Sequence, residues 1–216
     1  MKPLADCRLY AFIDSAYLRG REPAELAQQL CDGGADILQL RAKDWADSEI
    51  REAAEAILPI TRAAEVPLVI NDHWALASEL GAEFCHLGQE DFFDPDDDPT
   101  PELTFPGPQL GLSSHAPEQA EAALAEDADY IAVGPVFPTP TKPGRAGVTL
   151  EYVRWAAEHL RDCPWFAIGG ITLENVDDVL AAGARRICVV SAILNAPKAA
   201  HACQQFQERL ASVPLD

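Results

Sequence analysis

Gln39, Arg41 and Lys43 fall two residues apart in the stretch LQLRAKD. Alternate residues of an extended chain share a face, so one amide and two cations point the same way. Cations on a buried strand face need an anionic partner. That partner is either a neighbouring aspartate of the fold or an anionic ligand, and the ligand is the better expectation. Further on, Asn71 and Asp72 close one apolar run, and Asp91 stands three residues past Gly88 in the next. Paired carboxylates beside a cationic phosphate site suit Mg²⁺, a hard ion that takes one or two carboxylates plus phosphate oxygens and waters. An acid/base pair, or capping of the following helices, would use the same residues.

A second group of residues is chemically different. The stretch VGPVFPTPTKPG (133–144) holds four prolines with Thr139, Thr141 and Lys142. Such a loop presents hydroxyls and an ammonium on a restrained backbone, which suits an anion. Ser113, Ser114 and His115 end another apolar run, Gly169-Gly170 end a third and Val190-Ser191 a fourth. Glycine lets a ligand oxygen come close to backbone N–H groups. Two anion sites are therefore expected. One is cationic and metal-assisted, the other is built from backbone amides, and two phosphorylated small molecules sharing one mouth would use both.

These residues need a scaffold that brings strand ends together. Eight short apolar runs read as buried strands: 8–14, 36–41, 67–71, 83–88, 109–114, 130–135, 165–170 and 186–191. Helical patterns follow most of them, at 22–32, 47–64, 73–80, 117–126, 149–160, 173–182 and 198–211. Ser48, Pro117 and Thr172 mark helix starts, and glycines in CDGGAD, SELGAE and LAAGAR mark stops. The alternation predicts an α/β fold, a single-domain (β/α)8 TIM barrel over residues 1–216, with an open doubly wound sheet as runner-up. In a barrel the site lies at the strands' C-terminal ends, and the loops after strands seven and eight are its recurrent phosphate site. One segment breaks the rhythm. Residues 92–108, FFDPDDDPTPELTFPGP, hold five prolines and an aspartate run. They read as an acidic, proline-rich loop that lacks the glycine and closing glutamate of an EF-hand.

Composition removes other classes. The formal charge is −19, which argues against nucleic acid and anionic membrane surfaces as partners. It does not argue against a small anion bound in a cleft. No apolar run reaches the roughly 20 residues of a membrane span. The opening MKPLADCRLYAF has no apolar run followed by a small-residue cleavage site, so a cytoplasmic location is expected. The six cysteines show no C-x-x-C spacing, so neither zinc nor a dithiol is indicated. A homo-oligomer is compatible with all of this and required by none of it.

The motifs QLRAK, ND, HLGQED, GLSSH, VGPVFPTPTK, AIGGIT and VVSAI occur in that order from about residue 9 to 195. In this the chain resembles the thiamine phosphate synthases. The resemblance implies a (β/α)8 barrel joining a hydroxymethylpyrimidine diphosphate to a thiazole phosphate, with release of pyrophosphate. It implies that residues 39–43 (Gln39, Leu40, Arg41, Ala42 and Lys43), with Asn71, Ser113 and Lys142, meet the pyrimidine diphosphate. Thr139, Pro140, Thr141, Gly170, Val190 and Ser191 would meet the thiazole phosphate. Asp72 and Asp91 would hold Mg²⁺. Arg41, Lys43, Ser113 and Lys142 would act on the reacting groups, none as a covalent nucleophile. The acidic 92–108 stretch is a departure from the family pattern. Two rivals share the resemblance: a thiazole tautomerase-like relative, and a non-catalytic module binding thiazole phosphate or thiamine phosphate. The tautomerase-like relatives tend to lack the full PTPTK loop and the diphosphate and metal residues, which this chain keeps.

Overall fold

A computed structural model describes residues 1–93, 106–139 and 147–215. Its strands are β1 (Leu9–Asp14), β2 (Ile37–Arg41), β3 (Leu68–Asn71), β4 (Phe84–Leu87), β5 (Gln109–Ser114), β6 (Tyr130–Val133), β7 (Trp165–Ile168) and β8 (Ile187–Val189). The longer helices are α1 (Pro23–Asp32), α2 (Asp47–Ala63), α3 (Trp74–Leu80), α5 (Pro117–Ala125), α6 (Thr149–His159), α7 (Val176–Ala181) and α9 (Ala199–Ala211). Two short helices, α4 (Gln89–Phe93) and α8 (Ser191–Leu194), follow β4 and β8.

The strands pair in parallel in chain order, and β8 returns to β1 through Leu9 opposite Ile187, closing the barrel. Each strand is nearly all apolar because both of its faces are covered. One face meets the helices and the other fills the barrel. Inside the barrel the filling is aromatic. Tyr10, Phe84, Tyr130 and Phe166 meet edge to face, with ring centroids 5.3–5.9 Å apart. Edge-to-face contacts match the rings' charge distribution, and the plug forms a solid floor under the mouth. Gly111 on β5 makes room for it, since a Cβ there would lie 2.1 Å from the Tyr130 ring.

The differences from sequence expectation are at element ends. Ser48 is not the cap of α2. The helix starts at Asp47, and the Glu49 carboxylate accepts from the Ala46 N–H at 2.8 Å. The last run stops as a strand at Val189, because Val190 leaves the extended region and Ser191 opens α8. α7 starts three residues late. Residues Thr172 to Asn175 form a turn instead, with the Thr172 N–H donating to Asn175 Oδ1 at 2.8 Å. Of the 92–108 segment, Phe92 and Phe93 belong to α4, and 94–105 lie outside the described residues. No helix among the described residues is long and apolar enough to cross a membrane.

Candidate active site at the mouth of the barrel

The C-terminal ends of the strands surround one cavity of about 860 Å³, counting the space open at its mouth. Gln39, Arg41, Lys43, Asn71, Asp72, Asp91, Ser113, Thr139, Gly170, Val190 and Ser191 all line it. Leu40 and Ala42 do not. They alternate to the outer face of the β2 segment and are buried, so what they offer a ligand is backbone. Pro140, Thr141 and Lys142 lie outside the described residues.

On the β2–β4 side, charge is held in place by charge. Arg41 Nη1 donates to Asp14 Oδ2 at 2.8 Å, and Asp14 is fully buried. Lys43 Nζ stands 2.6 Å from Asp72 Oδ2 and 3.7 Å from Asp91 Oδ2. The ion-pair alternative for these cations is thus realised, yet every partner except Asp14 also lines the cavity. Asp72 sits in the left-handed region with φ 66°. A non-glycine residue pays strain there. The strand end is turned in this way while the Asp72 N–H still donates to His86 O at 2.9 Å. The convergence of two carboxylates on one cationic nitrogen is a donor set that fits a hard divalent ion. Among the described residues no group of three or more His, Cys, Asp or Glu gathers as a metal cage.

The β6–β8 side is made of backbone. The loop after β6 lies on the β7 turn, with the Val136 N–H donating to Ile168 O at 2.8 Å and the Phe137 N–H to Gly169 O at 3.1 Å. Gly169 and Gly170 have φ of 104° and 64°. A Cβ at Gly170 would lie 2.7 Å from Phe137 Cβ and 2.9 Å from Pro138 O. The glycines therefore serve the seating of the loop as well as access to the cavity. Asn175 ties this turn down. Its Nδ2 donates to Gly170 O at 2.9 Å while its Oδ1 accepts from Thr172. Beyond β8, the opening of α8 brings Ser191 to the cavity.

Between the two sides stands Ser113, buried at the end of β5, with its Oγ 3.0 Å from His86 Nε2. The sequence reading passed over His86, Asp14 and Asn175. Strand alternation from Phe84 would have pointed His86 inward. Asp14 and Asn175 act through partners far along the chain or through a turn, and their types alone carry no such signal. Burial pushes the Cys188 and Cys85 thiols well up, and Cys7 and Cys203 up to about 12. All six cysteines are free thiols. A thiol kept protonated is no nucleophile.

Residues 9–193 match the family described as thiamine monophosphate synthase. A thiamine-phosphate synthase of Thermus thermophilus is 51% identical over 183 residues, covering 84% of this chain and 85% of the relative.

The chain belongs to the thiamine monophosphate synthase family.

The Acidothermus cellulolyticus thiamine-phosphate synthase is 42% identical over 213 residues, covering 97% of both chains. Among solved structures, a thiamine phosphate pyrophosphorylase from Pyrococcus furiosus superposes with a TM-score of 0.82 at 27% identity, over 97% of this chain and 98% of that one. A geranylgeranylglyceryl phosphate synthase from Thermoplasma acidophilum, 16% identical with a TM-score of 0.71 over 97% and 96% of the two chains, shares the fold. The family's members thus align with this chain across both sides of the cavity.

Proposed function

We propose that the protein is a transferase that joins 4-amino-2-methyl-5-hydroxymethylpyrimidine diphosphate to a thiazole phosphate, giving thiamine phosphate and pyrophosphate. The observation that carries this reading is the two-sided cavity, with paired charges on β2–β4 and a glycine-lined backbone turn on β6–β8. The first suits a diphosphate that must leave, and the second a monophosphate that only anchors.

In the reaction the bond between the methylene carbon and the diphosphate oxygen breaks, and pyrophosphate keeps the electron pair. The aminopyrimidine ring shares the positive charge left on the methylene. The thiazole nitrogen then donates its lone pair to form the new carbon–nitrogen bond. Arg41 and Lys43 face the charge that grows on the leaving oxygen, which gains more in the transition state than in the ground state. The family resemblance adds Lys142 to them. Gln39, Asn71 and Ser113 orient the pyrimidine, and residues 40 and 42 contribute backbone. Thr139, Pro140, Thr141, Gly170, Val190 and Ser191 orient the thiazole phosphate. Asp72 and Asp91 would hold Mg²⁺, which when bound supplies further neutralisation of the pyrophosphate. The rest is positioning, and no covalent protein intermediate is needed. A cytoplasmic location suits the free thiols.

The test is turnover. Both substrates with Mg²⁺ should yield pyrophosphate and thiamine phosphate in equal amounts, and excess chelator should stop it. Isomerisation of a thiazole phosphate without pyrophosphate release would favour the tautomerase-like reading. Tight binding without any product would favour a binding module.

A further inference from the structure

Beneath the cavity a line of buried polar atoms crosses the barrel from β2 to β5. Gln39 Nε2 lies 2.5 Å from Tyr10 OH. Tyr10 OH lies 2.9 Å from Tyr130 OH, which is 3.1 Å from His86 Nδ1. His86 Nε2 in turn lies 3.0 Å from Ser113 Oγ. All five side chains are buried, Tyr130 completely. Only the two ends, with His86, face the cavity.

Each hydroxyl in this line owns one proton, so one fixed donor sets the direction of every link. The Gln39 amide N–H donates to the Tyr10 oxygen. Tyr10 then spends its proton on Tyr130, and Tyr130 spends its own on His86 Nδ1. That leaves His86 neutral, with its proton on Nε2, donating to Ser113 Oγ. Burial holds both tyrosines protonated, well above the usual phenol range. The consequence appears at the ends. Gln39 has one N–H engaged below, which sets the orientation of its amide and leaves its carbonyl oxygen to accept from a ligand in the cavity that it lines. Ser113 accepts from below and turns its O–H to the ligand.

We infer that this line of hydrogen bonds fixes Gln39 as an acceptor and Ser113 as a donor, and so selects a pyrimidine with an exocyclic 4-amino group over its 4-oxo counterpart. The inference rests on the proposed pyrimidine diphosphate reading. A 4-aminopyrimidine offers an N–H₂ donor to Gln39 and bare ring nitrogens as acceptors to Ser113. The 4-oxo form replaces that donor with an oxygen, which would face the Gln39 carbonyl with no proton between them. A buried mismatch of this kind is costlier than the loss of one bond. Reversing the preference would require every link to reverse together, which the buried line resists. Tyr10, Tyr130 and His86 are positioning residues in this scheme.

Two measurements decide it. The first is ¹⁵N NMR of the histidine rings in the protein alone, with His86 assigned by comparison with a His86→Gln variant. The expected state at neutral pH is Nε2 protonated and Nδ1 bare. An Nδ1-protonated ring, or an imidazolium, overturns the proposal whether or not the enzyme turns over. The second compares kcat/KM for the 4-amino and 4-oxo pyrimidine diphosphates. Tyr130→Phe cuts the line in the middle without touching the cavity, and should lower the amino-over-oxo preference by about tenfold. Equal loss on both substrates, with the preference intact, would reduce Tyr130 to a packing residue and overturn the proposal. Absence of turnover with the amino substrate in wild type would instead refute the proposed reaction, and the NMR result would stand on its own.

Discussion

On the β2–β4 wall the charged candidate contacts are held by charge, Arg41 braced by Asp14 and Lys43 between Asp72 and Asp91, with the uncharged Gln39 and Asn71 beside them. On the β6–β8 wall the candidate contacts are a glycine turn, a loop seated on it and the first residues of α8. The difference teaches how one mouth can treat two phosphates unequally. A side-chain cation can follow charge as it grows and departs, whereas a backbone turn holds a phosphate whose charge does not change. On the proposed reaction, chemistry falls to the charged wall together with Lys142 of the stretch after β6, and anchoring to the glycine turn, so mutations on the two walls should leave different kinetic marks.

The largest effect is expected at Lys43. Its pair with Asp72 is partly exposed, and such pairs contribute only about 0–1 kcal/mol to stability. Lys43→Ala should therefore barely move the urea midpoint while lowering kcat by roughly a hundredfold or more, measured at saturating substrates. A variant that unfolds, or one that keeps wild-type kcat, would erase the contrast between the walls. Gly170→Ala comes next. Its Cβ meets Phe137 and Pro138, and its φ of 64° is strained for alanine. A cost of about 1–3 kcal/mol in stability is expected, together with a KM for thiazole phosphate raised well above that for pyrimidine diphosphate. An equal rise in both would show that the cavity is divided wrongly. Asn175→Ala should act in the same direction and more weakly. It removes the bond to Gly170 O without filling space, so a loss of about 1 kcal/mol and a few-fold rise in the thiazole phosphate KM are expected, read by the same assays.

The smallest effect concerns the barrel beneath both walls. Cys7 and Cys203 are pushed up to about 12 by burial, and Tyr10 and Tyr130 rise well above 10. The unfolded chain loses these protons near its ordinary thiol and phenol values, while the native state keeps them. The native state then binds more protons, so stability is intact below about pH 8 and falls as pH rises above roughly 9. Urea midpoints between pH 7 and 10 should show the decline on the alkaline side. A flat or rising midpoint there would mean that these groups titrate alike in both states.

The charged wall was the easier one to read from sequence. Gln39, Arg41 and Lys43 share a strand face by simple alternation, and Asp72 and Asp91 follow once the strands are numbered. The barrel was equally legible, because a strand covered on both faces has little choice of residue. What stayed hidden depends on contacts between distant segments. Asp14 is just the last letter of an apolar strand until β2 places Arg41 beside it. Tyr10, Tyr130 and His86 read as core residues, and only barrel closure lines up their polar atoms. The glycines after β7 were legible as a place where a ligand oxygen could approach the backbone. What the structure adds, the seating of Phe137 and Pro138, needs the loop in place. Helix ends went astray where a neighbour supplied the cap, as Glu49 does for Ala46.

The division of the mouth is tested most directly by equilibrium binding to wild type and to Lys43→Ala, with Mg²⁺ present. Inorganic pyrophosphate and the thiazole phosphate are the probes, titrated singly and together. Wild type should bind both at once. Lys43→Ala should lose most of its affinity for pyrophosphate and keep its affinity for the thiazole phosphate within about twofold, since that anchor is backbone on the far wall. Mutual exclusion of the two probes in wild type, or parallel loss of both in the variant, would contradict the two-walled site.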